Sequence, residues 1–93
     1  MNYKEISEVF KILSNAKRLE IIDLLSNGEL CACELQKKFN VTQPTLSYDM
    51  KLLKDVHLIK ERVDGRSHYY RLDEKNIRTI NEVFYNLTKT KKE

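Results

Sequence analysis

A chain of 93 residues, 41% of them hydrophobic, makes one small domain with a limited core, a size at which association often supplies missing stability. Its formal charge of +3 permits a nucleic-acid partner without demanding one, so the placement of the cations matters more than their sum. No apolar run approaches the roughly 20 residues of a membrane span, Met1–Glu5 opens no signal-peptide core, and two cysteines two residues apart are no framework for a secreted fold; a cytoplasmic protein without a membrane partner is expected.

Ile6, Val9, Phe10 and Leu13 recur at i, i+3, i+4 and i+7 and predict an amphipathic helix over Tyr3–Leu13. Ser14-Asn15 ends it, and Asn15 can cap a second helix from about Ala16 to Ser26. In that helix Leu19, Ile22 and Leu25 are expected inward, with Ile21 and Leu24 widening the stripe. Lys17 and Arg18 lie in a first turn where the helix dipole favours acids. They read either as solvated cations or as phosphate contacts. Asn27-Gly28 stops the helix, Gly28 suiting a left-handed C-terminal cap. Glu29–Phe39 then reads as a short third helix with Cys31, Leu35 and Phe39 on one face, and Asn40-Val41 as a tight turn.

Thr42 is placed to cap the next helix, with Pro44 in its first turn, where a missing N–H costs nothing. Leu46, Met50 and Leu53 mark its buried face. The other face offers Gln43, Thr45, Ser47, Tyr48 and Lys51, short hydrogen-bonding groups and a cation beside a helix N-terminus. A short helix, a tight turn and a second helix of this kind predict a helix-turn-helix over about residues 31–55, with the second helix in a DNA major groove.

After Val56 the period changes. Leu58–Val63 and Ser67–Leu72 are strand candidates around the turn signal Asp64-Gly65-Arg66. A lone hairpin is marginal, so this one must pack on the helices as a wing over about residues 58–72, with Arg66 at its tip able to reach a phosphate and Lys60, Arg62 and Arg71 along its arms. Asp73 caps a last helix over about residues 74–90, in which Ile77, Ile80, Phe84 and Leu87 form a narrow seam. Together with Ile6 and Phe10 of the first helix they are the candidate surface for a second copy of the chain. Lys89–Lys92 is expected to fray. The predicted architecture is a single, mainly α (α+β) winged helix-turn-helix domain in the order α-α-α-α-β-β-α, a homodimer through its first and last helices.

Cys31-Ala32-Cys33 is the one place with chemistry. On a helix, residues i and i+2 point about 200° apart, so two thiolates holding one soft ion are expected to unwind the start of the third helix; on extended backbone they share a side. Unwinding the support of the DNA-reading helix is a physical switch. The plain alternative is a pair of small buried hydrophobes; Cys31 suits it and Cys33, near Lys37, suits it poorly.

The segments Lys11–Ile22, Gly28–Leu35, Thr42–Ser47, Met50–Leu53 and Asp64–Leu72 together resemble the ArsR/SmtB family of metal- and metalloid-sensing repressors, over about two-thirds of the chain. The resemblance implies a homodimer that binds double-stranded operator DNA, represses a resistance or efflux operon and leaves DNA when its inducer binds, with no cofactor for DNA binding and no small-molecule substrate. Glu29-Leu30-Cys31-Ala32-Cys33-Glu34-Leu35 is similar to the arsenic-responsive branch and implies that Cys31 and Cys33 bind trivalent arsenic or antimony. Where that branch often has a third cysteine, this chain has Gln36, leaving two thiolates plus a water or small thiol. The cadmium/lead branch uses further N-terminal cysteines, absent here, and the zinc/cobalt branch places Asp and His on the last helix, which has no histidine here, the two being His57 and His68. Tyr48 and Asp49 also depart from the family pattern, and Asp49 near DNA requires a cytosine amine or a lysine. A thiol redox sensor of the same fold, or a sensor of another soft metal such as cadmium or lead, is the alternative; a disulfide between residues i and i+2 closes so small a ring that an intersubunit bond or mixed disulfide is expected instead. An enzyme is not expected, since there is no Cys-x-x-Cys, phosphate loop or catalytic triad.

Overall fold

The computed structural model describes residues 1–91, so Lys92 of the expected frayed tail lies outside the described residues. The order is α1 (Tyr3–Leu13), α2 (Ala16–Leu25), β1 (Leu30–Cys31), α3 (Ala32–Phe39), α4 (Gln43–Asp55), β2 (Ile59–Asp64), β3 (Ser67–Leu72) and α5 (Glu74–Thr88). Local chemistry sets most of these limits. Asn2 and Glu5 form a reciprocal capping box on α1, Asn15 accepts the Arg18 amide on α2, and Thr42 accepts the Thr45 amide on α4. Asn40, at φ 50°, ends α3 in the left-handed conformation that asparagine tolerates.

The predicted third helix is shorter than its sequence suggests. Leu30 and Cys31 leave it to pair antiparallel with Tyr70 and Tyr69, giving a three-stranded sheet in the order β1-β3-β2. The hairpin is therefore not a lone pair of strands. In β2–β3, Asp64 opposes Ser67 across a two-residue loop, with Gly65 at φ 63°, a left-handed value that glycine adopts without Cβ strain.

One core gathers Ile6 and Val9 of α1, Ile21 and Leu25 of α2, Leu35 of α3, Leu46, Met50 and Leu53 of α4, Leu58 just before β2, Ile59 of β2, Tyr70 of β3 and Ile80 of α5. The second helix turns differently from the expectation: Ile21 is buried and Leu19 is 51% exposed. The first turn of α2 explains this, because Arg18 reaches across to α1 and α4 and holds the helix in this rotation. Of the wing strands, β2 packs on α4 and β3 on α2 and α3, and α3 also packs on α4 and β1.

The molecule is drawn out to 54 × 22 × 21 Å, with a radius of gyration of 14.8 Å, against about 12 Å for a compact chain of this length. Phe10 and Phe84 meet edge to face, ring centres 5.5 Å apart, and both stay exposed, as do Tyr3, Tyr85 and Leu87.

Candidate nucleic-acid interface and thiol site

Of the side chains expected to meet DNA, Gln43, Thr45, Ser47, Tyr48 and Lys51 all lie exposed on α4, and Arg66 is exposed at the wing tip. Two already have partners within the chain. The Thr42 hydroxyl donates to Thr45 Oγ1 over 3.0 Å, and the Lys51 ammonium donates to Asp55 Oδ2 over 2.8 Å, a contact that raises the pKa of Lys51. Both are exposed and can exchange partners for a phosphate. Arg66 has no ion-pair partner among the described residues.

Asp49 is not at this surface. It is 3% exposed, on the inner side of α4. Its Oδ1 accepts from Arg18 Nη1 at 3.1 Å, and its Oδ2 lies 2.7 Å from Lys17 Nζ. That second oxygen accepts no well-directed hydrogen bond, so the ammonium holds it by charge. Arg18 Nε also donates to the Ile12 carbonyl over 2.7 Å, meeting one of the free carbonyls at the end of α1. The two cations of α2 are thus neither idle nor free for a phosphate: they anchor α4 to the first two helices. A buried carboxylate needs such partners, because desolvation otherwise drives it to the neutral form.

A second polar cluster, missed in the sequence, joins α4 to the wing. Glu61 receives Lys54 Nζ at 2.5 Å, His68 Nδ1 at 2.6 Å and the Tyr70 hydroxyl at 3.1 Å. The available signal was strand period: Glu61 falls on the inward side of β2, two residues from core residue Ile59, where a lone carboxylate requires partners. The Lys54 ammonium is the main cause of a lowered Glu61 pKa, assisted by His68 and Tyr70. Burial, with help from the Glu61 charge, pushes the Tyr70 phenol up to about 12. Because the Glu61 pKa is lowered on folding, its stabilisation is present above the ordinary carboxylate range and lost as pH falls through the lowered value. Glu61→Gln is expected to cost about 1–2 kcal/mol at pH 7, and the gap to the unmodified protein should close at acid pH. Urea unfolding at both pH values and one fixed protein concentration checks this.

On the outer face of the sheet, Arg62 pairs with Glu29 at 2.7 Å and stacks 4.4 Å over the Tyr69 ring. This basic arm of the wing is therefore tied to the loop before β1 and is not free for a phosphate. The guanidinium is also the main cause of a lowered Glu29 pKa.

The two cysteines come together in a way the helix reading did not anticipate. Cys31 is the N-cap of α3, with extended backbone at φ −81°, ψ 157°, and Cys33 is the second residue of the helix. Their Cα atoms are 5.3 Å apart and their sulfurs form a disulfide within the one chain. This contrasts with the expectation, drawn from the small ring such a bond closes, of an intersubunit bond or mixed disulfide. The pair straddles a strand-to-helix boundary, where i and i+2 share a side. For the same reason, an ion taking both thiolates need not unwind α3. Cys31 Sγ also accepts the Glu34 amide at 3.2 Å, and Glu34 accepts the Cys31 amide at 3.1 Å. Cys31 is buried and Cys33 exposed. As dithiols, they present two sulfurs on one side, a donor set that suits a soft ion at two of its positions.

These sulfurs open into a cleft of about 260 Å³. Its other walls are Gln36 of α3, Gln43 of α4, and Arg66, Ser67 and His68 of the wing. Two of the residues expected to meet DNA, Gln43 and Arg66, thus border the thiol site directly.

The model for bacterial regulatory proteins of the arsR family matches residues 15–61. The chain is 51% identical over 87 residues to the arsenical resistance operon repressor of Staphylococcus aureus, covering 94% of this chain and 81% of that one. It is 39% identical over 75 residues to the arsenical resistance operon repressor of Bacillus subtilis, covering 80% and 71%. Among solved structures, it superposes with a TM-score of 0.74 on a homodimeric winged helix-turn-helix DNA-binding domain from Mycobacterium bovis, at 28% identity over 96% of this chain and 83% of that one.

Proposed function

Because this chain belongs to the arsR family of bacterial regulatory proteins, we propose that it is a cytoplasmic repressor that binds operator DNA as a homodimer and releases it when trivalent arsenic or antimony takes Cys31 and Cys33. The fold and the relatives are those of transcriptional regulators, not enzymes. The observation that carries the ligand reading is the shared cleft, with both sulfurs on one wall and Gln43 and Arg66 on the others. An ion seated there lies against the first turn of the DNA-facing helix and the wing tip at once. In this reading Gln43, Thr45, Ser47 and Tyr48 meet bases or brace against them, and Lys51 and Arg66 meet phosphates.

The test is fluorescence anisotropy of operator DNA with the reduced protein, titrated with arsenite, antimonite, cadmium and zinc. Release by arsenite and antimonite at lower concentration than by cadmium supports the reading; retained binding at saturating arsenite sinks it.

A second copy is expected along α1 and α5. Ile6 and Ile80, read from the sequence as part of that seam, are buried in the chain's own core at 4% and 7% exposure, and Ile77 is partly buried. Phe10, Phe84 and Leu87 remain to meet a partner. The elongated shape and the homodimeric Mycobacterium bovis relative support this assignment. Phe84→Glu should shift sedimentation from two chains to one and weaken operator binding at least tenfold, since each half-site is then bound alone.

The in-chain disulfide favours a second reading, in which oxidation of the pair is the signal. Operator release by peroxide with arsenite absent, reversed by dithiothreitol, would favour it over arsenic sensing.

A further inference from the structure

A trivalent arsenic centre bonded through sulfur is three-coordinate, and the chain has two cysteines. The cleft they border offers no third sulfur among the described residues. Gln36 and Ser67 offer neutral hard oxygens, poorly matched to a soft ion. The His68 imidazole holds Glu61 through Nδ1 at 2.6 Å and keeps Nε2 as a nitrogen donor, a weaker match than sulfur for trivalent arsenic. Among the described residues no aspartate or glutamate lines the cleft, while Arg66 does, exposed and without an ion-pair partner. The cleft is therefore open, electropositive and lacking one sulfur.

We propose that a low-molecular-weight thiol carrying a carboxylate supplies the third sulfur, with its carboxylate bound by Arg66. This rests on the arsenic reading of the site. The reaction balances without electron transfer. Arsenous acid loses three hydroxyls as three waters, each taking the proton of one thiol. Three S–As bonds replace three O–As bonds, and arsenic stays trivalent. Two of the thiols are Cys31 and Cys33 in their reduced form, and the third is the small molecule. A cleft of about 260 Å³ holds a thiol of cysteine size. Guanidinium and carboxylate match as a two-pronged hydrogen-bonded pair. In this arrangement Arg66 has one of two anions, the thiol's carboxylate or a DNA phosphate. Filling the third position thus withdraws a wing-tip contact from DNA.

The experiment uses DNA-free protein reduced with a phosphine and loaded with one equivalent of arsenite. X-ray absorption counts the sulfurs on arsenic, and the near-ultraviolet thiolate-to-arsenic band follows titration with mercaptosuccinate, 2-mercaptoethanol or cysteamine. Two sulfurs and one oxygen are expected before a thiol is added, and three sulfurs after. Mercaptosuccinate should saturate at a concentration at least tenfold below that of the neutral thiol, with the cationic thiol weakest. Arg66→Gln should remove the difference between the three thiols, and Arg66→Lys should keep part of it. In operator anisotropy, mercaptosuccinate should lower the arsenite concentration needed for release. An oxygen retained at saturating thiol, or three thiols of equal strength, overturns the proposal. Absence of any sulfur–arsenic bond before thiol is added overturns the arsenic reading and the proposal with it.

Discussion

Asp49→Ala should cost about 3 kcal/mol of unfolding free energy, the scale of breaking a buried charge pair, and should weaken operator binding although the residue never meets DNA. Asp49 is where α2 holds α4. Its removal leaves the Arg18 guanidinium, 14% exposed as a side chain, without its anion, while that same group still caps the Ile12 carbonyl. Arg18 can relax toward water only by releasing α1. Lys17 is 30% exposed as a side chain and can solvate itself, so Lys17→Ala should cost less than Arg18→Ala. The comparison Lys51→Ala, which breaks an exposed pair with Asp55 four residues on, should leave the urea midpoint nearly unchanged. Urea midpoints for the four proteins at one concentration check the order. Equal losses for Asp49→Ala and Lys51→Ala would mean that the buried triad contributes no more than a surface pair.

Cys31→Ser and Cys33→Ser should each abolish arsenite release while leaving operator affinity within about threefold, against a drop of roughly 100-fold for the unmodified protein at saturating arsenite. Serine at position 31 keeps the helix cap, because its hydroxyl can accept the Glu34 amide as the sulfur now does. The substitution therefore removes the soft donor without removing the local fold. Position 33 is exposed, so a serine there disturbs little. Circular dichroism establishes folding, and anisotropy with and without arsenite gives the response. Arsenite release in either single variant would show that one sulfur suffices and that the pairing at the strand-to-helix boundary is incidental.

What could be read in the chain was local. Apolar spacing predicts α1 over Tyr3–Leu13, and Thr42 with Pro44 sets the start of α4, because caps and periods act within a few residues. Asp64-Gly65 marks the wing turn for the same reason. What escaped was non-local. Leu30-Cys31 is too short to show a period, and its partners Tyr70 and Tyr69 lie far along the chain, so the segment reads as helix. That error carried the wrong geometry for the cysteine pair. Asp49 read as a DNA-facing oddity because its partners sit 31 and 32 residues earlier, on a helix whose rotation no periodicity fixed. The candidate DNA-facing residues were legible as one exposed stripe, whereas the cleft joining Gln43 and Arg66 to the sulfurs needed three elements in place.

Asn76, near the start of α5, donates through its side-chain amide to the carbonyls of Val56 and His57 at the end of α4, over 3.4 and 2.7 Å. His57 sits at φ 58°, so the chain reverses there and those carbonyls would otherwise face water. α5, the proposed dimer helix, and α4, the proposed DNA-facing helix, are thereby pinned end to end. If two copies join along α5 as proposed, the separation and tilt of their α4 helices follow from how that seam is packed. On that proposal the distance between operator half-sites is set by the seam residues, and seam variants that keep the dimer should retune which spacing is bound before they change which bases are read.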